Sequence, residues 1–158
     1  MKCMILAAGY GKRMMPLTKE TPKPLLKVGD ETLLDRNIKN VQSNGFDEII
    51  INISYQGAMI RKHIQNHYKD SNFVLIEEPH PYGTGGALIN AKKHLGDGSV
   101  LVLNADIFHD FNLSKLNKEV ECIHLVGIEN PEHNKDGDFN INLCLLYTSD
   151  AADEHRRV

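Results

Sequence analysis

The chain has 158 residues, enough for about one domain with a real core. Hydrophobic residues make up 41% and charged residues 25%, and a formal net charge of −3 leaves no basic excess to bind an extended nucleic acid. No apolar run of about 18 residues occurs to span a membrane, and no leader-length apolar stretch follows Lys2, so the expected location is the cytoplasm.

In chain order, Cys3 to Ala7 is a compact apolar run before a glycine loop, the pattern of a buried strand. Ala8 to Asp30 is rich in Gly, Pro, Lys and Thr and reads as a long connection, of a kind that is either functional or disordered. Leu33, Leu34, Ile38 and Val41 then recur at helical spacing, and Asn44-Gly45 supplies a stop. Glu48 to Ile53 is a second strand, and Met59, Ile60, Ile64 and His67 mark one face of a second helix. Phe73 to Ile76 is a third strand, followed by the turn-rich EEPHPYGTGG. Ala87 to Leu95 is a third helix, Val100 to Leu103 a fourth strand, Leu113 to Val120 a short helix and Ile123 to Gly127 a fifth strand.

Strands alternating with helices in this way predict a parallel α/β sheet covered on both faces, with right-handed crossovers. Ligands in such sheets sit outside the carboxyl ends of the strands. Those ends carry the Gly9 loop, Asn52, Glu77-Glu78 and Asp106, so the unusual residues gather on one edge. The three cysteines, Cys3, Cys122 and Cys144, are odd in number and widely spaced, which predicts reduced thiols.

The loop GYGKRM (Gly9 to Met14) has a G-x-G but Met14 where a dinucleotide fingerprint needs its third glycine, and it lacks a Walker A lysine before Ser or Thr. Asn52 also stands where an acidic residue would end the second strand of an NAD-binding unit. What the loop does offer suits a triphosphate. Gly9 and Gly11 let backbone amides approach phosphate without a Cβ in the way, Arg13 presents a planar donor fork, and Lys23 is stiffened between Pro22 and Pro24. Taken singly, Arg13 and Lys23 would each be ordinary solvated charges.

LAAGYGKRMMPLTKETPKPLL (Leu6 to Leu26) closely resembles the signature of the sugar-1-phosphate nucleotidyltransferases, with Gly9, Gly11, Arg13, Pro16, Leu17, Thr18, Pro22, Lys23 and Pro24 all in order. The resemblance implies a Rossmann-like three-layer α/β/α fold with a mainly parallel sheet, here truncated at its C-terminal side. It implies transfer of a nucleotidyl group from an NTP to a sugar-1-phosphate, with Arg13 and Lys23 as a catalytic cationic clamp. Nucleotide contacts are implied for Leu6, Ala7, Ala8, Gly9, Gly11 and Lys12, for Gly83, Thr84 and Gly85 of a second glycine loop, and for Asn104. Glu78 falls where the family often reads the base edge, a role that an ionised carboxylate fills only as acceptor. Asp106, in LNADIF with Ala105 in place of the usual glycine, falls on the family's Mg²⁺-binding aspartate.

LVGIENPEHNKDGDF (Leu125 to Phe139) resembles one subgroup, the bacterial N-acetylmuramate-1-phosphate uridylyltransferases of cell-wall recycling, through Asn130, Pro131, His133, Gly137, Asp138 and Phe139. UTP with N-acetylmuramate-1-phosphate is therefore the leading expectation. Glucose-1-phosphate with dTTP or UTP, mannose-1-phosphate with GTP, and a non-catalytic nucleotide-sugar-sensing subunit stay open. His63 and His67 stand at metal-pair spacing but lack a third ligand, so amphipathic packing is expected of them. CLLYTSDAADEHRRV (Cys144 to Val158) resembles a translated sequencing adapter. The expected organisation is thus an incomplete nucleotide-binding domain over residues 1–143 and a non-native tail over 144–158. Such a fragment is expected to be inactive by itself, with an edge strand at Ile123 to Gly127 left open. No nucleic-acid or membrane partner is expected, and the oligomeric state stays open.

Overall fold

The computed structural model describes residues 1–69, 71–121, 123–130, 132 and 134–137, together with the backbone of 139–142 and 145–148. Contacts divide the chain into two units, Met1–Glu121 and Cys122–Val158. In the first, β1 (Lys2–Leu6), β4 (Ile49–Ile53), β5 (Phe73–Glu77) and β6 (Val100–Asn104) form one sheet in the order β5-β4-β1-β6, and every pairing is parallel. The register sets Leu6 beside both Asn52 and Asn104, so the strands finish level. A short antiparallel pair, β2 (Lys27–Val28) with β3 (Glu31–Thr32), precedes the first helix.

Alternation along the strands builds a core on each face. Cys3 and Ile5 of β1 with Ile49, Ile51 and Ile53 of β4 pack among Leu34, Ile38 and Val41 of α1 (Leu33–Ser43) and Ile60 and Ile64 of α2 (Gly57–His67). Met4 and Ile50, one residue out of phase, meet Ala87 and Ala91 of α3 (Gly83–Leu95). Helices therefore lie on both faces, giving the three layers expected. Burial pushes the Cys3 thiol up to about 12, because a thiolate there would lose its hydration.

The helix starts follow from local chemistry. Thr32 accepts from Asp35 N at 3.0 Å and the Asp35 carboxylate reaches back to Thr32 N, a capping box that satisfies two orphan donors. Asp35 also accepts from Tyr68 Oη and meets His63 Nε2, each at 2.7 Å. Burial alone would raise its pKa, but the hydrogen bonds from His63, Thr32 and Tyr68 outweigh it and hold the carboxyl below the usual carboxylate value. His63 and His67 stack with ring centroids 4.3 Å apart, and His67 is solvent-exposed rather than on the buried face. Met59 is exposed too; the buried face of α2 is Gly57, Ile60 and Ile64.

Three further expectations change. The connection after β1 is a series of single 3₁₀ turns (Lys12–Met14, Leu17–Lys19, Lys23–Leu25), each closed by its own backbone bond. α3 begins at Gly83, not Ala87, so the second glycine loop is the first helical turn. The short helix near 113 stops at Leu116, a single turn capped by Asn112, because so short a polar run cannot repay helix nucleation.

In the second unit, Phe139–Asn142 (β7) pairs antiparallel with Leu145–Thr148 (β8). Residues 123–130 carry no regular structure, so the expected fifth strand at Ile123 to Gly127 is absent; a strand needs a neighbour, and no described residue pairs with this run. Pro131, His133, Asp138 and Cys144, and all of 149–158, lie outside the described residues. Among the described residues no helix is long and apolar enough to cross a membrane.

Candidate active site

A cleft of about 430 Å³ opens at the carboxyl ends of β1, β4 and β6. Leu6 to Met14 wrap one side, Lys23 and Pro24 another, and Asn52, Pro81, Gly83, Thr84 and Asn104 to Asp106 complete the lining. Of the residues singled out from the sequence, the structure brings together Leu6, Ala7, Ala8, Gly9, Gly11, Lys12, Arg13, Lys23, Gly83, Thr84, Asn104 and Asp106. Gly85 and Glu78 lie outside the lining.

The glycine turn is held by its neighbours. Gly11 has φ +63, and a Cβ there would sit 2.8 Å from Thr18 Cγ2. Thr18 is fully buried and donates its hydroxyl to Gly11 O at 2.9 Å. Tyr55 Oη donates in turn to Thr18 O at 3.2 Å. The signature's second glycine and its threonine are thus two halves of one contact. Tyr10 packs on Tyr55, ring centroids 5.5 Å apart, and Lys12 Nζ lies 5.3 Å from the Tyr10 ring centroid.

Lys23 and Asp106 are 83 positions apart in sequence, yet Lys23 Nζ donates to Asp106 Oδ2 at 2.5 Å across the mouth of the cleft. Arg13 is exposed at the same rim and makes no ion pair among the described residues. α3 starts with no side-chain cap from Tyr82, and its first two residues, Gly83 and Thr84, line the cleft, so the uncapped N–H groups of a 13-residue helix begin at the lining. Gly86 is required for this start, since a Cβ there would fall 2.7 Å from Tyr82 Cβ. Cations, backbone donors and a helix N-terminus on one cleft make a site for a highly charged anion.

Glu78 departs from its expected place. It is 2% exposed and both carboxylate oxygens are taken, Oε1 by Asn52 Nδ2 at 2.9 Å and Oε2 by Tyr82 N at 3.1 Å. The side chain is turned inward onto Asn52 and the Tyr82 amide, outside the cleft lining, where it braces the start of α3. Asn52, which the strand order places at the ligand-binding edge, has a bracing role that its position alone does not reveal. Its Oδ1 accepts from Ala7 N at 3.0 Å, so one buried side chain joins the ends of β1 and β4 to Glu78 and the start of α3. The signals in the sequence were its place at a strand end and a polar residue inside the apolar run EIIINI.

Among the described residues no three His, Cys, Asp or Glu side chains cluster to hold a metal. A single carboxylate at the cleft mouth still fits Mg²⁺, which keeps most of its waters and is commonly held by one or two carboxylates plus substrate phosphates.

The nucleotidyl transferase family model matches residues 2–124. N-acetylmuramate alpha-1-phosphate uridylyltransferase from Neisseria meningitidis serogroup B is 37% identical, over 89% of this chain and 64% of its own. D-glycero-alpha-D-manno-heptose 1-phosphate guanylyltransferase from Campylobacter jejuni is 31% identical, over 79% and 57%. The crystal structure of HddC from Yersinia pseudotuberculosis complexed with GMP-PN superposes with a TM-score of 0.66 at 28% identity, covering 73% of this chain and 52% of that one. The chain therefore spans less than two thirds of the length of each of these relatives.

Proposed function

This chain belongs to the nucleotidyl transferase family, and on that premise we propose that it supplies the nucleotide-binding part of a cytoplasmic enzyme that joins an NTP to a sugar-1-phosphate. UTP and N-acetylmuramate-1-phosphate are the proposed pair, placing the reaction in peptidoglycan recycling. The 37% identity to the uridylyltransferase and the Asn130 to Phe139 resemblance support that choice.

An oxygen of the sugar-1-phosphate attacks the α-phosphorus of the NTP. The new P–O bond forms as the bond to the β-phosphate bridging oxygen breaks, and pyrophosphate leaves with the electron pair. The nucleophile is already an anion, so no general base is needed. The barrier is charge: at ~4 Å two unit charges repel by about 4 kcal/mol at an effective dielectric near 20. Arg13 and Lys23 offset that repulsion, the amides of the Gly9–Gly11 turn and of the α3 start hold the phosphates, and the bound geometry sets the line of attack. Asp106 would hold Mg²⁺, which when bound neutralises phosphate charge and charge developing on the leaving group.

The observation that supports this most is the meeting of Lys23 with Asp106 at the mouth of a cleft walled by two sets of backbone donors. The test is pyrophosphate release by the full-length enzyme, across a panel of NTPs and sugar phosphates. Release that depends on Mg²⁺ and is greatest with UTP and N-acetylmuramate-1-phosphate is expected; release with no sugar phosphate at all, or none with any pair, rejects the proposal.

A further inference from the structure

Asn37 sits in the middle of α1 on its buried face, at helical spacing between Leu34 and Val41, and only 2% of it is exposed. Its amide nitrogen has two hydrogens, yet it lies within bonding distance of three carbonyls: Leu33 O at 2.9 Å, Ala105 O at 3.1 Å and Ile107 O at 3.1 Å. The first belongs to its own helix. The other two flank Asp106 in the chain, one on each side.

A buried amide within donating reach of the carbonyls of the residues just before and just after one aspartate holds that stretch of backbone in position. Two more bonds complete the mount: Ala105 N donates to Leu6 O at 3.0 Å and Ile107 N to Asn104 O at 3.3 Å. The loop is thus pinned to β1 on one side and to α1 on the other. With α1 itself held by its capping box, the helix carries the loop as a rigid bracket. Nothing about packing demands this arrangement, since an apolar residue of similar volume would fill the same space without needing partners.

We propose that Asn37 is a positioning residue for Asp106, fixing the carboxylate where it can hold a divalent cation. This rests on the reading of Asp106 as the metal-holding group. A ligand whose backbone wanders must be ordered each time the cation arrives, and supports of this kind usually govern metal affinity as strongly as some ligands do.

The experiment is a Mn²⁺ titration of the 158-residue chain without nucleotide, followed by paramagnetic broadening of the Ala105 and Ile107 amide resonances. Asn37→Leu keeps the branched outline at a larger volume and removes every bond the amide makes; Asn37→Ser is the milder variant, whose hydroxyl reaches back toward Leu33 O and is too short for the loop carbonyls. Both are expected to raise the half-saturating Mn²⁺ concentration by about tenfold and to speed hydrogen exchange at Ala105 and Ile107. Val41→Ala, which loosens the same helix away from the loop, is expected to leave the titration unmoved. An unchanged half-saturation in either Asn37 variant that keeps the wild-type spectral fingerprint overturns the proposal, as does an equal weakening by Val41→Ala. If the unaltered chain shows no broadening at Ala105 and Ile107, the metal role of Asp106 fails first and this inference with it.

Discussion

Replacing Lys23 by Ala is expected to have opposite effects on the two ligands of the cleft. Lys23 Nζ and Asp106 Oδ2 are 2.5 Å apart, with side chains 29% and 37% exposed. Two unit charges at that separation attract by about 1.7 kcal/mol in a water-like dielectric. Partial exposure, salt screening and the ordering of a long side chain reduce the net value to about 1 kcal/mol, a factor of about five in an equilibrium constant. A cation approaching Asp106 must displace that ammonium group, so Lys23→Ala is expected to tighten nucleotide-free Mn²⁺ binding by about fivefold. The same change removes the proposed phosphate clamp, so Mg-UTP binding is expected to weaken by about tenfold or more. Mn²⁺ broadening at Ala105 and Ile107 measures the first effect and calorimetric titration with Mg-UTP the second. A folded Lys23→Ala chain whose Mn²⁺ affinity falls or stays level would refute the reasoning, because the ion pair would then not compete for Asp106.

Glu78→Gln puts an amide N–H₂ against either Asn52 Nδ2 or Tyr82 N and is expected to cost about 1–3 kcal/mol in denaturant unfolding. The ranking of UTP against GTP and dTTP in binding is expected to stay as it was; a reversed ranking would return Glu78 to reading the base. Gly11→Ala forces φ +63 on an alanine and drives its Cβ to 2.8 Å from Thr18 Cγ2. A loss of about 1–3 kcal/mol is expected, only partly relieved in the double variant Gly11→Ala with Thr18→Ser, which deletes the clashing methyl but leaves the positive φ. The depressed pKa of Asp35 makes a signed prediction for pH. Its stabilisation is complete above the ordinary carboxylate value of about 4 and is lost as pH falls toward the lower folded value. Urea unfolding between about pH 5 and 2 should therefore flatten in Asp35→Asn relative to the unaltered chain; parallel curves would argue against the cap network.

Much of the fold was legible in the order of residues. Apolar runs of strand length, helical spacing at Leu34, Ile38 and Val41, and glycine and proline punctuation are local signals, and they placed all four strands of the main sheet and its three helices. The long signature from Leu6 to Leu26 identified the cleft for the same reason, since its glycines and prolines act on the backbone close to where they stand. The sequence alone also led to Lys23 and Asp106 as partners in one site.

What tertiary structure decided is where polar side chains spend their hydrogen bonds. Glu78 stood at a plausible base-reading position, but a strand end that brings Asn52 and the Tyr82 amide to it satisfies its oxygens internally. Asn37 and Asn52, polar residues at positions surrounded by apolar ones, are brackets across 68 and 45 positions of chain. Ile123 to Gly127 had the composition of a strand without a neighbour to pair with. Backbone preference is written in adjacent residues, whereas a buried donor's choice of acceptor depends on groups that only folding brings within 3 Å or so.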